Sequence, residues 1–366
     1  MTAERRLRVL VVEDSITVRE RLCEVIGSDP GLELVASADD GRRAVELCAL
    51  HRPDVITMDM MLPGMTGLEA TEHIMARQPT PILIVSSSNN RGELFRTYDA
   101  LAAGAVDVLE KPRGDEADGA WEQSFLAAVR MVARIRVITH PRAKLRDLGR
   151  DSRPAAIGAR RTTAPIAIAA RPPCDVLAIG ASTGGPGAVA ELLAALAPAM
   201  DVPIVLVIHI GELFGAALAE WLGTRSQRRV VMATDGAPVA AFAGGVVMAP
   251  PGRHLVVRHQ LLRFSDAAPR HSCRPSVDVL FESIERDYGA RAAACLLTGM
   301  GKDGAAGLLR IRIAGGLTIA QDEGTCVVYG MPREAALLGA AQHILPLPEI
   351  GRALSRWLVG RGGQTS

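Results

Sequence analysis

Two hydrophobic periodicities alternate along the first third of the chain and predict a sheet layered between helices. Short apolar, β-branched runs are typical of buried strands, and apolar residues three and four positions apart are typical of amphipathic helices. The predicted strands span 7–12, 32–37, 55–58, 81–85 and 105–109, and the predicted helices span 17–26, 41–51 and 121–137. This alternation predicts a doubly wound, five-stranded parallel α/β domain of flavodoxin-like type.

The second half of the chain repeats the alternation. Residues 202–208, which follow Asp201, are nearly continuous Val, Ile and Leu, and this indicates a central strand buried on both faces. Further strands are predicted over 174–179, 230–233, 245–249, 292–297 and 317–320, helices over 189–196, 214–222, 277–288 and 305–314, and a hairpin over 255–257 and 261–264. The pattern predicts a second doubly wound, mostly parallel α/β domain that carries an antiparallel hairpin.

Both periodicities fail between the two halves. Residues 138–173 are rich in Arg, Ala and Pro, which predicts a flexible basic linker. The predicted organisation is therefore a first domain over 1–137, the linker over 138–173, a second domain over 174–357 and a disordered tail over 358–366.

Composition limits the function classes. The 366 residues carry a net charge of +1 and only 3% aromatic residues, so no broad nucleic-acid-binding surface is expected. Six cysteines occur without a C-x-x-C pair, which is typical of free thiols in a reducing compartment. The chain opens without a signal-peptide pattern and has no apolar run of membrane-spanning length, which predicts a cytoplasmic protein without membrane insertion.

Polar side chains follow the carboxyl ends of the first domain's predicted strands. They are Glu13, Asp14, Asp59, Ser86 and Lys111. Open α/β sheets bind ligands at this edge, and clustered carboxylates suit a hard cation such as Mg²⁺. Asp59 is a candidate acyl-phosphate nucleophile, with the ammonium of Lys111 and the hydroxyl of Ser86 available to the phosphoryl oxygens.

These residues, the run from Asp59 to Gly67 and the pair Lys111-Pro112 resemble the receiver domain of response regulators. The resemblance implies that a histidine kinase supplies a phosphoryl group to Asp59 with the help of Mg²⁺. It also implies that Ser86 and Lys111 act as receiver switch residues. The implied metal ligands are Glu13, Asp14, Asp59 and the carbonyl of Met61.

A glycine-rich turn opens the second domain. Gly180, Ser182 and Gly184 form G-x-S-x-G between a predicted strand and a predicted helix, a spacing that serves an exposed serine nucleophile. The same spacing also fits a phosphate-binding or merely tight turn, and the pattern alone does not separate these interpretations.

His209 and Asp303 follow two other predicted strands, so they are expected to meet Ser182 at one sheet edge. His209 is the candidate general base, and Asp303 is the candidate group that orients it. Their order along the chain differs from that of the α/β-hydrolases, and His343 would restore that order as an alternative base.

A different enzyme class is also open. Gly299, Gly301 and Gly304 match the dinucleotide-binding pattern G-x-G-x-x-G, and Asp322 follows at a suitable distance. The motif comes late in the chain, with little sequence left to complete a dinucleotide-binding sheet.

The segments 179–186, 274–281, 297–305 and 330–335 resemble the chemotaxis protein-glutamate methylesterases, the CheB family. The resemblance implies Ser182 as nucleophile, His209 as base and Asp303 as its orienting partner, with Thr183 and the Met300 backbone near the oxyanion. It implies a phosphorylation-activated hydrolase that demethylates glutamate γ-methyl esters and deamidates glutamines on chemoreceptor helices, and releases methanol from the esters. Chemoreceptors and a chemotaxis histidine kinase are the implied partners, receptor arrays the implied location, and no cofactor is implied for the esterase.

Two non-enzyme interpretations remain. The chain could be a phosphorylation-controlled scaffold that binds receptors without chemistry. A DNA-binding response regulator is disfavoured, because the second domain is too large and too rich in α/β alternation for a helix-turn-helix effector.

Overall fold

The computed structural model describes residues 5–87, 91–112, 119–135, 137 and 174–359. The linker predicted over 138–173 and the end of the predicted tail, 360–366, lie outside the described residues, so the predicted domain boundaries stay predictions. No helix in the described part of the chain is long and apolar enough to cross a bilayer.

The N-terminal sheet is parallel and has five strands, as predicted, and the strand order is β2-β1-β3-β4-β5. The strands are β1 (Leu7–Val12), β2 (Leu32–Ala38), β3 (Val55–Met58), β4 (Ile82–Ser86) and β5 (Asp107–Glu110). The helices are α1 (Ile16–Gly27), α2 (Gly41–His51), α3 (Gly67–Arg77), α4 (Arg91–Ala103) and α5 (Ala120–Ala133). Because β3 and β4 are buried along their whole length, they show continuous apolar runs rather than alternation.

The C-terminal sheet has seven parallel strands in the order β14-β13-β12-β6-β7-β9-β8. They are β6 (Val176–Ala181), β7 (Ile204–Ile208), β8 (Val230–Met232), β9 (Val246–Met248), β12 (Ala292–Leu296), β13 (Leu317–Gln321) and β14 (His343–Leu345). The hairpin consists of β10 (His254–Arg258) and β11 (Leu261–Ser265). The helices are α6 (Gly185–Ala195), α7 (Gly215–Ser226), α8 (Val277–Tyr288), α9 (Ala305–Ile313), α10 (Met331–Leu337) and α11 (Leu347–Val359).

The prediction of two doubly wound α/β units, the second with an antiparallel hairpin, is confirmed. Strand β14 was not predicted, because it begins with a histidine and none of its three residues is buried, so it lacks the apolar run of a buried strand. Helix α4 was not predicted either. It buries Glu93 and Thr97 beside Leu94, Tyr98 and Leu101, so its buried face is only partly apolar.

Helix α4 joins the two units. It packs against α6 and α7, and one apolar cluster runs from the first sheet into the second through Tyr98 and Trp221. The rings of these two residues lie 5.5 Å apart, and Trp221 Nε1 donates to Asp99 at 2.9 Å. A Cβ atom on Gly187 of α6 would lie 3.1 Å from Ala102 Cα, so the helices touch there almost backbone to backbone.

Candidate functional site

The carboxyl ends of three neighbouring strands form a crevice in the C-terminal unit. Strand β6 lies between β12 and β7, and the chain turns back past β6 to build the other half of the sheet. Such a switch in strand order opens a crevice at the sheet edge. Ser182 follows β6 and donates its N–H to Thr298 O at 3.0 Å, while His209 follows β7 and donates its N–H to Ala181 O at 3.1 Å. The two residues therefore emerge side by side.

Glycines make the serine turn possible. A Cβ atom on Gly180 would lie 2.2 Å from a methyl carbon of Val277, so only glycine lets α8 pack this close to the turn. Gly184 has φ of +76° at the start of α6, a left-handed conformation that glycine adopts without strain. Gly299 lies directly beside the serine, where a Cβ atom would come 2.7 Å from Ser182 Cβ.

The structure brings His209 and Asp303 together. His209 Nε2 lies 2.9 Å from Asp303 Oδ2, and the Asp303 side chain is only 2% exposed. Three donors at the N-terminus of α8 hold the same carboxylate. They are Ser276 Oγ at 2.7 Å, Val277 N at 2.7 Å and Asp278 N at 3.0 Å. A helix N-terminus stabilises a carboxylate through its unpaired N–H groups and its dipole.

These contacts shift the pKa values of both Asp303 and His209. Burial raises the pKa of Asp303, but the hydrogen bonds from His209, the Asp278 backbone and Ser276 outweigh it and hold this pKa below its usual range. Burial lowers the pKa of His209, but the hydrogen bonds with Asp303 and Cys273 outweigh it and raise this pKa to about 9. The pair therefore favours an imidazolium beside a carboxylate, the charge state that follows proton uptake by a histidine base.

Ser182 and its neighbours leave polar groups available. Within the described residues, no hydrogen bond is made by the Ser182 hydroxyl or by the backbone N–H groups of Thr183 and Met300. Because Nε2 of His209 is bonded to Asp303, Nδ1 is the ring nitrogen left to accept a proton. The backbone contacts thus bring a hydroxyl, an imidazole and two backbone donors to one edge of the sheet.

The structure separates the alternative residues from this crevice. His343 stands on edge strand β14 and stacks on Trp357, with ring centroids 4.6 Å apart. Asp322 caps a short helical turn by accepting from Thr325 N at 3.0 Å. Neither geometry favours His343 as the base or Asp322 as a ribose-binding carboxylate.

Two residues of the crevice received no role from the sequence. Ser276 belongs to a segment already singled out at 274–281, but only its bond to Asp303 shows what it does. Cys273 Sγ lies 3.6 Å from His209 Nδ1, although 64 positions separate the two residues. Nothing in the local pattern around Cys273 signals this contact.

A second polar cluster lies at the edge of the N-terminal sheet. The carboxylates of Glu13, Asp14 and Asp59 offer oxygens within 4.8 Å of one another. Lys111 Nζ lies 2.9 Å from Glu13 Oε2 and 3.1 Å from Asp59 Oδ2. Burial, followed by the charge of Asp59, raises the pKa of Glu13 to about 7, and burial also raises the pKa of Asp59.

This cluster fits a hard divalent cation. Three crowded carboxylates supply oxygen ligands, and the charge of Asp59 adds to the larger effect of burial in raising the pKa of Glu13. Met61 follows closely after Asp59 and is exposed.

Ser86 does not join the cluster. Its hydroxyl donates to Glu93 Oε1 on α4 at 2.7 Å and lies 3.2 Å from Thr97 Oγ1.

Comparison with known proteins identifies both units. The family model "Response regulator receiver domain" matches residues 9–117, and the model "CheB methylesterase" matches residues 177–354. The crystal structure of the Thermotoga maritima CheB methylesterase catalytic domain is 34% identical and covers 50% of this chain and 98% of its own, with a TM-score of 0.48.

Curated relatives match nearly the whole chain. Protein-glutamate methylesterase/protein-glutamine glutaminase 2 of Anaeromyxobacter dehalogenans is 44% identical over 351 residues, which are 96% of this chain and 97% of the relative. The protein of the same name in Pseudomonas aeruginosa is 41% identical over 362 residues, or 97% of this chain and 98% of the relative. The chain therefore belongs to the CheB family, the response-regulator protein-glutamate methylesterases and protein-glutamine glutaminases.

Proposed function

We propose that Ser182, His209 and Asp303 carry out the family's ester hydrolysis in this chain. Ser182 is the nucleophile, His209 is the general base and Asp303 orients the imidazole. The observation that carries the proposal is the His209–Asp303 hydrogen bond, anchored at the N-terminus of α8 and located beside the serine turn. Substrates are glutamate γ-methyl esters and glutamines on chemoreceptor helices.

The reaction divides into two acyl transfers. Ser182 Oγ attacks the γ-carbonyl as Nδ1 of His209 takes the hydroxyl proton, and the negative oxygen faces the free N–H groups of Thr183 and Met300. The imidazolium then protonates the departing methoxide, and methanol leaves. Water, deprotonated by the same nitrogen, hydrolyses the acyl-enzyme and restores Ser182. With a glutamine substrate the leaving group is ammonia.

The proposal extends to the receiver unit. Asp59 accepts the phosphoryl group from a chemotaxis histidine kinase, and Lys111 contacts an oxygen of that group. Glu13, Asp14, Asp59 and the Met61 carbonyl would hold Mg²⁺, which neutralises negative charge on the transferring phosphoryl group when bound. Because the substrate groups lie on cytoplasmic receptor helices, the protein is expected to work in the cytoplasm at receptor arrays.

Helix α4 connects Ser86, near the phosphorylation site, to the esterase unit. Ser86 is bonded to Glu93 and Thr97 on α4, so its turn towards a phosphoryl group on Asp59 would break these bonds. The next two residues of α4 bond the esterase unit: Tyr98 OH donates to Phe214 O, and Asp99 accepts from Trp221. Helix α6, which starts directly after the serine turn, also contacts α4. The unphosphorylated receiver therefore restrains access to the crevice, and phosphorylation releases it.

Replacing the nucleophile should stop the reaction. We expect Ser182→Ala to lower methanol release from methylated receptor membranes by at least about a thousandfold, because no acyl-enzyme can form. Ser265→Ala, at the half-exposed end of hairpin strand β11, is the matched control and should keep the wild-type rate. Methanol release by Ser182→Ala at the wild-type rate would refute the assignment.

Replacing the orienting carboxylate should change both rate and pH dependence. Raising pH removes the proton from His209, so the wild-type rate should climb with pH towards about 9. Asp303→Asn removes the charge and hydrogen bond that raise this pKa, so it should fall towards 6.5, and kcat/KM should fall by at least about a hundredfold. NMR titration of the imidazole and a pH–rate profile measure the two effects.

Asp278→Asn is the control for the loss of a buried charge, because the Asp278 side chain bonds His271 and the Gly307 N–H rather than the imidazole of His209. It should leave the pKa of His209 well above 6.5. An unchanged His209 pKa in Asp303→Asn would contradict the proposed pairing.

Loosening the α4–α6 contact should release the esterase without phosphate. Ala102→Arg places a long charged side chain against Gly187, so we expect basal methanol release to rise at least about threefold and the further response to a phosphodonor to shrink. Ala49→Arg, on the exposed face of α2, is the control. Unchanged basal activity with a full phosphodonor response would show that this contact does not restrain the site.

A further inference from the structure

His209 is contacted by side chains at both ring nitrogens. Asp303 Oδ2 lies 2.9 Å from Nε2, and Cys273 Sγ lies 3.6 Å from Nδ1. Cys273 closes a short loop in which its N–H and carbonyl both bond the backbone of Arg270. The loop thus holds the thiol beside the nitrogen that the proposed mechanism uses as the base.

The spacing of the two atoms matches a metal chelate. A tetrahedral Zn²⁺ with bonds of about 2.3 Å to sulfur and about 2.1 Å to nitrogen separates these atoms by about 3.6 Å. The Cys273 Sγ to His209 Nδ1 distance is 3.6 Å. Thiolate and imidazole are also the ligand types that select soft and borderline cations over Mg²⁺.

The carboxylate behind the His209 imidazole is also typical of a metal site. All contacts of the Asp303 carboxylate are taken by Ser276, Val277, Asp278 and His209, so Asp303 is placed as an outer partner rather than a metal ligand. Its hydrogen bond with Nε2 leaves Nδ1, the other ring nitrogen, facing the thiol. A carboxylate behind a histidine ligand is the usual arrangement at protein zinc sites, where it raises ligand basicity.

The other cysteines lack such surroundings. Among the described residues, Cys273 is the one cysteine that belongs to a cluster of metal-ligating side chains. It is also half-buried rather than sealed in a core, unlike Cys48, Cys295 and Cys326. The site is therefore reachable from solvent and is built from residues far apart in the chain.

We propose that His209 Nδ1 and Cys273 Sγ form an inhibitory site for a thiophilic divalent cation such as Zn²⁺. On binding, the Cys273 thiol and Nδ1 of the imidazolium each release a proton to solvent, sulfur and Nδ1 each donate an electron pair, and water fills the remaining positions. No oxidation or reduction takes place. The blocking effect rests on the proposed function: an Nδ1 lone pair held by a metal cannot accept the Ser182 proton, so ester hydrolysis stops.

The test uses Cd²⁺ alone as a spectroscopic probe, because cadmium–thiolate bonds absorb in the near ultraviolet. The full-length protein is kept reduced by a phosphine, and excess Mg²⁺ occupies the acidic cluster of the receiver. We expect a thiolate–cadmium band that saturates at one equivalent, disappears in Cys273→Ser and needs at least about tenfold more Cd²⁺ in His209→Gln. Cys23→Ser, a half-buried cysteine in α1, is the control and should keep the band.

Methanol release is measured in parallel with Zn²⁺, each variant being compared with its own metal-free rate. Zn²⁺ should inhibit the wild type and Cys23→Ser at the same concentration, and Cys273→Ser only at a concentration at least about tenfold higher. A band that survives in Cys273→Ser, or no band in the wild type, would overturn the site. A normal band without inhibition would overturn the blocking role. A normal band in a protein that has no metal-free esterase activity would instead count against the proposed function.

Discussion

The buried Asp303 carboxylate is the constraint on which the rest of the esterase unit depends. It accepts hydrogen bonds from the N-terminus of α8 and from His209, and thereby ties a helix to the ends of two strands. An unpaired carboxylate at this depth would be costly, since removal of one partner of a buried charge destabilises a fold by several kcal/mol. These four contacts stabilise the Asp303 carboxylate in the fold. They also fix the position of the carboxylate that bonds His209 Nε2.

In both units, buried carboxylates are bonded by side chains to which we assign a role in the proposed chemistry. In the receiver unit, Lys111 bridges Glu13 and Asp59, and the crowding of negative charge prepares the cluster for a cation. Between the units, α4 carries polar contacts at both ends of one short stretch. Glu93 bonds Ser86, and Asp99 bonds Trp221 of the esterase unit. Helix α4 therefore connects the end of strand β4 to the esterase unit through side-chain hydrogen bonds.

Much of this architecture could be predicted from the sequence, because it depends on local pattern. Continuous apolar runs indicate the central strands, and the rule that parallel strands end at one edge predicts that His209 and Asp303 meet. What the sequence could not predict depends on contacts between distant segments. The Cys273–His209 contact, the Ser86–Glu93 bond and the packing of Ala102 on Gly187 each join elements whose relative position follows from the complete fold. Ring orientation is of the same kind: nothing local indicates that Nε2, rather than Nδ1, faces Asp303.

The central claim is that the crevice activates one particular hydroxyl. The most direct test labels the full-length protein with a fluorophosphonate, which reacts with activated serines, and maps the adduct by mass spectrometry. We expect one adduct, on the peptide that contains Ser182, with its formation strongly slowed in His209→Gln because the base is absent. Labelling at another serine, or at Ser182 with the same rate in His209→Gln, would contradict the account.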